Sequence, residues 1–294
     1  MRVAVIGLGS MGMGAAQSLL RAGHAVHGAE PREAARAEFA AAGGAAVATP
    51  SELPADAQAV VVFVVNATQT DDALFGSGYA PRLSPGTVVL CCTTVAPEFA
   101  RALGARLASL GLLPLDAPVS GGSVAAKDGA MSVMASGSED AFAAAKPVLS
   151  AIAKKVWRLG AEPGVGSTVK MVNQLLAGVH IAVAAEAMAL GIRAGADPRT
   201  LFEVISGSAG SSWMWQNRVP HILDGDDTPR SAVSIFVKDL GIVLDQARSL
   251  TFPLPLASAA HQLFLAAAAA GHGGRDDAFV IRVWQALTGI ELPG

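Results

Sequence analysis

Three stretches of this 294-residue chain combine residue types that could do chemistry. The first is Gly7-Leu8-Gly9-Ser10-Met11-Gly12, where glycines leave the backbone N–H groups of a turn open to an anion. The second is Asp116-Ala117-Pro118-Val119-Ser120-Gly121-Gly122, in which a hydroxyl and bare backbone N–H groups could hold a carboxylate. The third runs from Gly164 to Gln174 and places Lys170 ahead of Asn173 and Gln174 at i+3 and i+4. At about 100° per residue these three share a helix face, continued by Ala177 and Ile181. A lysine on an otherwise apolar face is costly to bury, so it either reaches solvent or has a task.

The elements that must position these groups begin with Val3–Ile6, a β-branched run that stops at the first glycine loop. A helical pattern through Ala15, Ala16, Leu19 and Leu20 ends at Gly23, and a second strand, Ala25–Ala29, closes on Glu30. Strand, G-x-G-x-x-G, helix, strand and acid together form a dinucleotide-binding fingerprint. Gly7 serves the tight turn, Gly9 the approach of a pyrophosphate, and Gly12 the packing of helix on strand. The phosphates would meet Leu8, Ser10 and Met11 at the positive end of that helix. Glu30 would accept from the adenosine ribose and repel a 2′-phosphate, so NAD is expected ahead of NADP. Arg32 pulls the other way, because a guanidinium could serve a 2′-phosphate.

The α/β alternation continues. Ala34–Ala42 reads as a helix, and Ala59–Val65 as a continuous apolar strand closed by Asn66-Ala67-Thr68. Thr87–Leu90 is a strand closed by Cys91-Cys92-Thr93-Thr94, followed by a helix over Pro97–Leu110 and a strand over Leu112–Ala117. Met131–Ala135 and Lys155–Leu159 read as strands flanking a helix that starts near Glu139. After Gly166 only helical patterns remain. The expected fold is a Rossmann-type doubly wound α/β domain over residues 1–162, then an all-α domain over 163–294. Ligands of open parallel sheets gather at the carboxyl ends of strands, which makes Val65, Asn66 and Thr94 candidate cofactor contacts.

Composition limits the partners. The apolar fraction is 52% but the charged fraction only 15%, against roughly 25% in soluble domains, so part of the surface is expected to be covered in a homodimer or homotetramer. A net charge of −3 without a basic run argues against nucleic acid. Adjacent Cys91 and Cys92 cannot build a disulfide framework and fit a reducing compartment. No signal peptide precedes the first strand, and the apolar run Leu175–Ile192 contains His180 and Glu186. A cytoplasmic protein with no membrane partner is expected. The six histidines show no metal-ligand spacing, so no metal is expected. Neither G-x-S-x-G nor a P-loop lysine occurs.

Four motifs stand in order: GLGSMGMGAA, DAPVSGG, the G-x-G-x-x-x-K-x-x-N of Gly164–Asn173, and Lys238-Asp239-Leu240-Gly241. In that order the whole chain resembles the β-hydroxyacid dehydrogenases, the group of 3-hydroxyisobutyrate dehydrogenase and tartronate semialdehyde reductase. The resemblance implies a small hydroxyacid substrate and a proton-transfer role for Lys170. A base needs a pKa near working pH, and burial beside NAD⁺ would disfavour the ammonium form. It also implies that Ser120, Gly121 and Gly122 hold the substrate carboxylate and that Asn173 orients substrate oxygens. Asn66, Thr94 and Lys238 would then lie at the cofactor.

Two departures stand out: Gln174 where several members carry a second Asn, and Cys91-Cys92 where an Asp and a Ser or Met are common. The cysteines are expected to be small buried hydrophobes. Asp116 is expected to fix its loop by hydrogen bonds, and Trp213, Met214 and Trp215 to serve core or interface. The runs His180–Met188, Ser208–Met214 and Asn217–His221 are similar to members acting on L-threonate, which implies oxidation of its 2-hydroxyl to 2-oxo-tetronate. The same residues would serve 3-hydroxyisobutyrate or tartronate semialdehyde. A non-catalytic NAD sensor is the reading from another class, and intact Lys170, Asn173 and Ser120 argue against it.

Overall fold

In the computed structural model, which describes residues 1–293, the chain divides into two compact units, Met1–Lys170 and Met171–Gly294. The first unit runs β1 (Arg2–Ile6), α1 (Ser10–Arg21), β2 (Ala25–Ala29), α2 (Glu33–Ala41), β3 (Ala45–Val47), β4 (Ala59–Val62), α3 (Ala67–Asp71) and β5 (Val88–Cys91). It continues through α4 (Pro97–Ser109), β6 (Leu113–Asp116), β7 (Val119–Ser120), α5 (Gly122–Lys127), β8 (Met131–Gly137), α6 (Glu139–Ile152) and β9 (Ala153–Gly160). The sheet order is β3-β2-β1-β4-β5-β6-β8-β7, with β9 beside β8. From β3 to β6 every pair is parallel, whereas β8 is antiparallel to β6 and β7.

Burial on both faces explains the unbroken valine runs of the central strands. Val3, Val5, Val61 and Leu90 pack on one face with Leu19 and Phe39. Their neighbours Ala4, Ile6, Val60, Val62 and Val89 pack on the other with Leu74, Tyr79 and Leu103. The strand order reverses between β1 and β4, and that reversal opens the crevice in which doubly wound sheets bind ligands.

The expected strand over Ala59–Val65 is shorter, because β4 ends at Val62. Past it the chain turns into α3: Asn66 Oδ1 accepts from Gln69 N at 2.9 Å, and Gln69 Oε1 accepts from Val65 N at 2.9 Å. Asn66 thus caps α3, and Gln69 reaches back to the residue before the cap, so the chain has left the sheet by Val65. β3, β7 and α5 had no sequence signature, being too short to show a period.

α7 (Val165–Arg193) starts within the first unit and continues into the second. The sequence texture changes at Gly166, but contacts keep the first residues of α7 with the first unit through Lys170. From Met171 onward the described residues form helices: the rest of α7, α8 (Pro198–Ser206), α9 (Trp213–Leu223), α10 (Val233–Ser249), α11 (Pro255–Ala267) and α12 (Arg282–Thr288). Ile181 and Met188 of α7 pack with Val219, Ile222, Phe236, Leu240 and Phe264. Phe236 stacks on Phe264 with centroids 5.2 Å apart. By length and composition α7 could cross a membrane, and 44% of its most apolar window is buried inside the protein.

Candidate active site

The glycine loop between β1 and α1 has the shape a diphosphate requires. Gly7 adopts φ +90°, and a Cβ there would lie 2.5 Å from the Phe63 carbonyl oxygen. A Cβ on Gly12 would collide with the Gly7 carbonyl, whereas Gly9 faces open space. No side chain caps α1, and its first turn carries no acid, so its leading N–H groups are left for an anion. This cradle fits the pyrophosphate of a dinucleotide.

Glu30 is nearly buried after β2, and its carboxylate already has partners. Oε2 accepts from Leu8 N at 2.9 Å, while Oε1 accepts from Arg32 N at 3.2 Å and Arg32 Nε at 2.7 Å. Burial pushes the Glu30 carboxyl up, but these donors outweigh it and hold the group below its ordinary value. Arg32 also donates to the Leu8 carbonyl at 3.2 Å, so acid and guanidinium together brace the loop.

Ser120 ends β7, paired with Ser132 of β8, and the chain then turns through Gly121 (φ 128°) and Gly122 (φ 71°) into α5. α5 packs on α1. Ser18 Oγ donates to the carbonyls of Ala126 and Lys127 at 3.0 and 3.1 Å, and Arg21 donates to Ser18 Oγ at 2.7 Å and to the Lys127 carbonyl. A Cβ on Gly14 would stand 2.6 Å from Lys127 N, so the close approach depends on that glycine. The dinucleotide helix therefore carries the Ser-Gly-Gly turn with it. Nothing in either motif alone gives that link.

Asp116, at the end of β6, fixes a different loop from the one expected. Its Oδ2 accepts from Gly164 N and Ser167 N at 2.8 Å each, and its Oδ1 from Ser167 Oγ at 2.7 Å. Ser136 Oγ accepts from Gly166 N at 3.0 Å and donates to Asp116 Oδ2 at 3.4 Å. Burial raises the Asp116 carboxyl even against these donors. The carboxylate thus caps the first turn of α7 from the sheet, three residues ahead of Lys170. Lys170 itself is 6% exposed, so the lysine that sequence marked as awkward is buried.

In the second unit Asn173 Nδ2 donates to Gln174 Oε1 at 3.0 Å, and Gln174 Nε2 donates to Asp239 Oδ2 at 2.6 Å. Lys238 Nζ lies 2.5 Å from Asp239 Oδ1. In sequence Asp239 is only one member of the Lys238-Asp239-Leu240-Gly241 motif. Its function as the hub of this network had no local signal. Cys91 and Cys92 are buried as expected, and desolvation lifts the Cys91 thiol to about 12. Trp215 is core, but Trp213 is 61% exposed. Val65 is exposed in the turn that Gln69 closes, and Asn66 is committed through Oδ1 to capping α3. Among the described residues, no group of three His, Cys, Asp or Glu side chains could hold a metal.

Comparison with known proteins agrees with this geometry. Residues 2–160 match the family described as the NAD binding domain of 6-phosphogluconate dehydrogenase, and residues 164–284 the NAD-binding family of NADP-dependent 3-hydroxyisobutyrate dehydrogenase. The L-threonate dehydrogenase of Cupriavidus necator is 59% identical over 99% of this chain and 98% of its own length. Human mitochondrial 3-hydroxyisobutyrate dehydrogenase is 32% identical over 93% of this chain and 84% of its own. The crystal structure of a 3-hydroxyisobutyrate dehydrogenase from Salmonella typhimurium aligns with a TM-score of 0.92 at 51% identity, covering 96% of this chain and 99% of that one. With a glycine cradle shaped for a dinucleotide and relatives matched from end to end, the chain belongs to the β-hydroxyacid dehydrogenases of the 3-hydroxyisobutyrate dehydrogenase group and is an NAD-dependent enzyme of that class.

Proposed function

We propose that this dehydrogenase oxidises the 2-hydroxyl of L-threonate to 2-oxo-tetronate, with Lys170 as general acid/base. The observation that carries the substrate is the set of L-threonate dehydrogenases from Cupriavidus necator, Escherichia coli and Haemophilus influenzae, 59%, 52% and 50% identical over 99% of this chain. Burial of Lys170 supports its role, since a proton-transfer group works best shielded from bulk water.

When bound, NAD would supply the hydride acceptor. Lys170 Nζ takes the proton of the 2-hydroxyl and returns it in the reverse direction. Ser120 Oγ, with the N–H groups of Gly121 and Gly122, holds the carboxylate, and Asn173 orients the remaining oxygens. Leu8, Ser10 and Met11 would hold the diphosphate, Glu30 the adenosine ribose, and Val65, Asn66, Thr94 and Lys238 would serve the rest of the cofactor. Residues 1–162 form the dinucleotide domain and 163–294 the substrate and oligomerisation domain of a cytoplasmic homodimer or homotetramer.

The Salmonella protein's name favours a second reading, 3-hydroxyisobutyrate as substrate. Absorbance at the NADH band decides, with threonate, 3-hydroxyisobutyrate, glycerate and an amine each paired with NAD or NADP. Threonate with NAD is expected to give the highest kcat/KM, by about tenfold or more. A preference for 3-hydroxyisobutyrate would replace the substrate assignment. No turnover despite tight NAD binding would favour a sensor.

A further inference from the structure

Asn173, Gln174, Asp239 and Lys238 form a chain of contacts with a direction. An amide can present either its oxygen or its nitrogen, but a carboxylate only accepts. Asp239, 2% exposed and paired with the Lys238 ammonium, therefore obliges Gln174 to turn its NH₂ toward it at 2.6 Å. Gln174 is itself 8% exposed, and its Oε1 is then the end that meets Asn173. Asn173 must answer with Nδ2, at 3.0 Å, which leaves Oδ1 as the acceptor it offers elsewhere. Glutamine has one methylene more than the asparagine common at this position, which lengthens its reach toward α10.

We propose that Asp239, acting through Gln174, locks the Asn173 amide with its carbonyl oxygen toward the substrate and so selects hydroxyacids that carry a second hydroxyl beside the reacting carbon. Gln174 and Asp239 are positioning residues. The inference rests on the reading of Asn173 as a substrate contact. An acid with a methyl group in place of that hydroxyl leaves the Asn173 oxygen without a donor, and a polar group left unpaired in a site penalises the wrong substrate more than an extra apolar contact rewards it.

The test compares threonate with 3-hydroxyisobutyrate in Gln174→Met, which keeps the length and helix propensity of the side chain and removes both hydrogen bonds. The expected result is a rise in KM for threonate of roughly tenfold or more, a kcat within about threefold, and a matching fall in the preference for threonate. NAD binding, followed by NADH fluorescence, should stay within about threefold. A variant with unchanged preference, or one that loses kcat equally for both acids, overturns the proposal. If Gln174→Met does not fold, Asp239→Asn asks the same question, because an amide at that position can also donate and releases the direction of the chain. Asn173→Ala separates the two readings. If its preference is unchanged, the substrate role of Asn173 fails. If it loses the preference while Gln174→Met and Asp239→Asn keep it, only the lock fails.

Discussion

On the proposed reading the buried Lys170 transfers the substrate proton, and that gives a separable prediction. Lys170→Ala should leave the dissociation constant for NAD within about threefold and lower kcat by about 10²–10⁴, the usual share of a general acid/base. Steady-state kinetics beside fluorescence titration would show it, and near-normal kcat would remove the assignment. Glu30 yields a second. Its carboxylate bonds Leu8 N and Arg32 at once, so Glu30→Ala removes a brace of the loop and, on the proposed reading, the charge that repels a 2′-phosphate. The ratio of NADP to NAD affinity should rise about tenfold or more, with Arg32 freed to meet the phosphate. An unchanged preference for NAD would show that the acid does not set it.

Asp277 gives a third prediction on the same scale. Burial pushes its carboxyl up to about 6 although Arg218 Nε lies 2.6 Å away. The unfolded chain binds this proton with an ordinary pKa of about 3.9, so between about pH 4 and 6 the folded state holds it more tightly. Its contribution to stability is therefore full below about pH 4 and declines as pH rises to about 6. Calorimetry of the protein and of Asp277→Asn should find the Tm difference moving in favour of the variant as pH rises through that window. Movement the other way would mark Asp277 as an ordinary paired carboxylate.

At the scale of elements, the contact of α1 with α5 joins the dinucleotide loop to the Ser120–Gly122 turn. Gly14→Ala would place a Cβ 2.6 Å from Lys127 N and 2.8 Å from the Ala126 carbonyl carbon, against backbone that cannot rotate away. The expected cost is about 1–3 kcal/mol in thermal or denaturant unfolding, with weaker NAD binding and a higher KM together. A loss of stability with both binding constants intact would show that the two motifs are independent. The long elements were legible: β1, β2, α4, α6 and β8 lie where apolar period and glycine stops put them. The end of β4 is not legible, because Phe63–Val65 continues the apolar run and only the bonds of Asn66 and Gln69 reveal that the chain has already left the sheet.

Across the whole molecule, local pattern and distant partners played different parts. The sequence by itself determined the parallel sheet, the glycine cradle and the all-helical second half, because period, β-branching and glycine spacing act within a few residues. It also marked Lys170 as a charge on an otherwise apolar helix face, while the roles of Ser120 and Asn173 came from resemblance to a known family. Only the tertiary structure decided what surrounds them. Asp116 was expected to steady its own loop, and instead it caps α7 at Gly164 and Ser167. Gln174 stood as an open substitution until α10 brought Asp239 to it. Such partners are dozens of residues apart along the chain, and a hydrogen bond between them exists only after packing has set both backbones, so no local spacing could announce it.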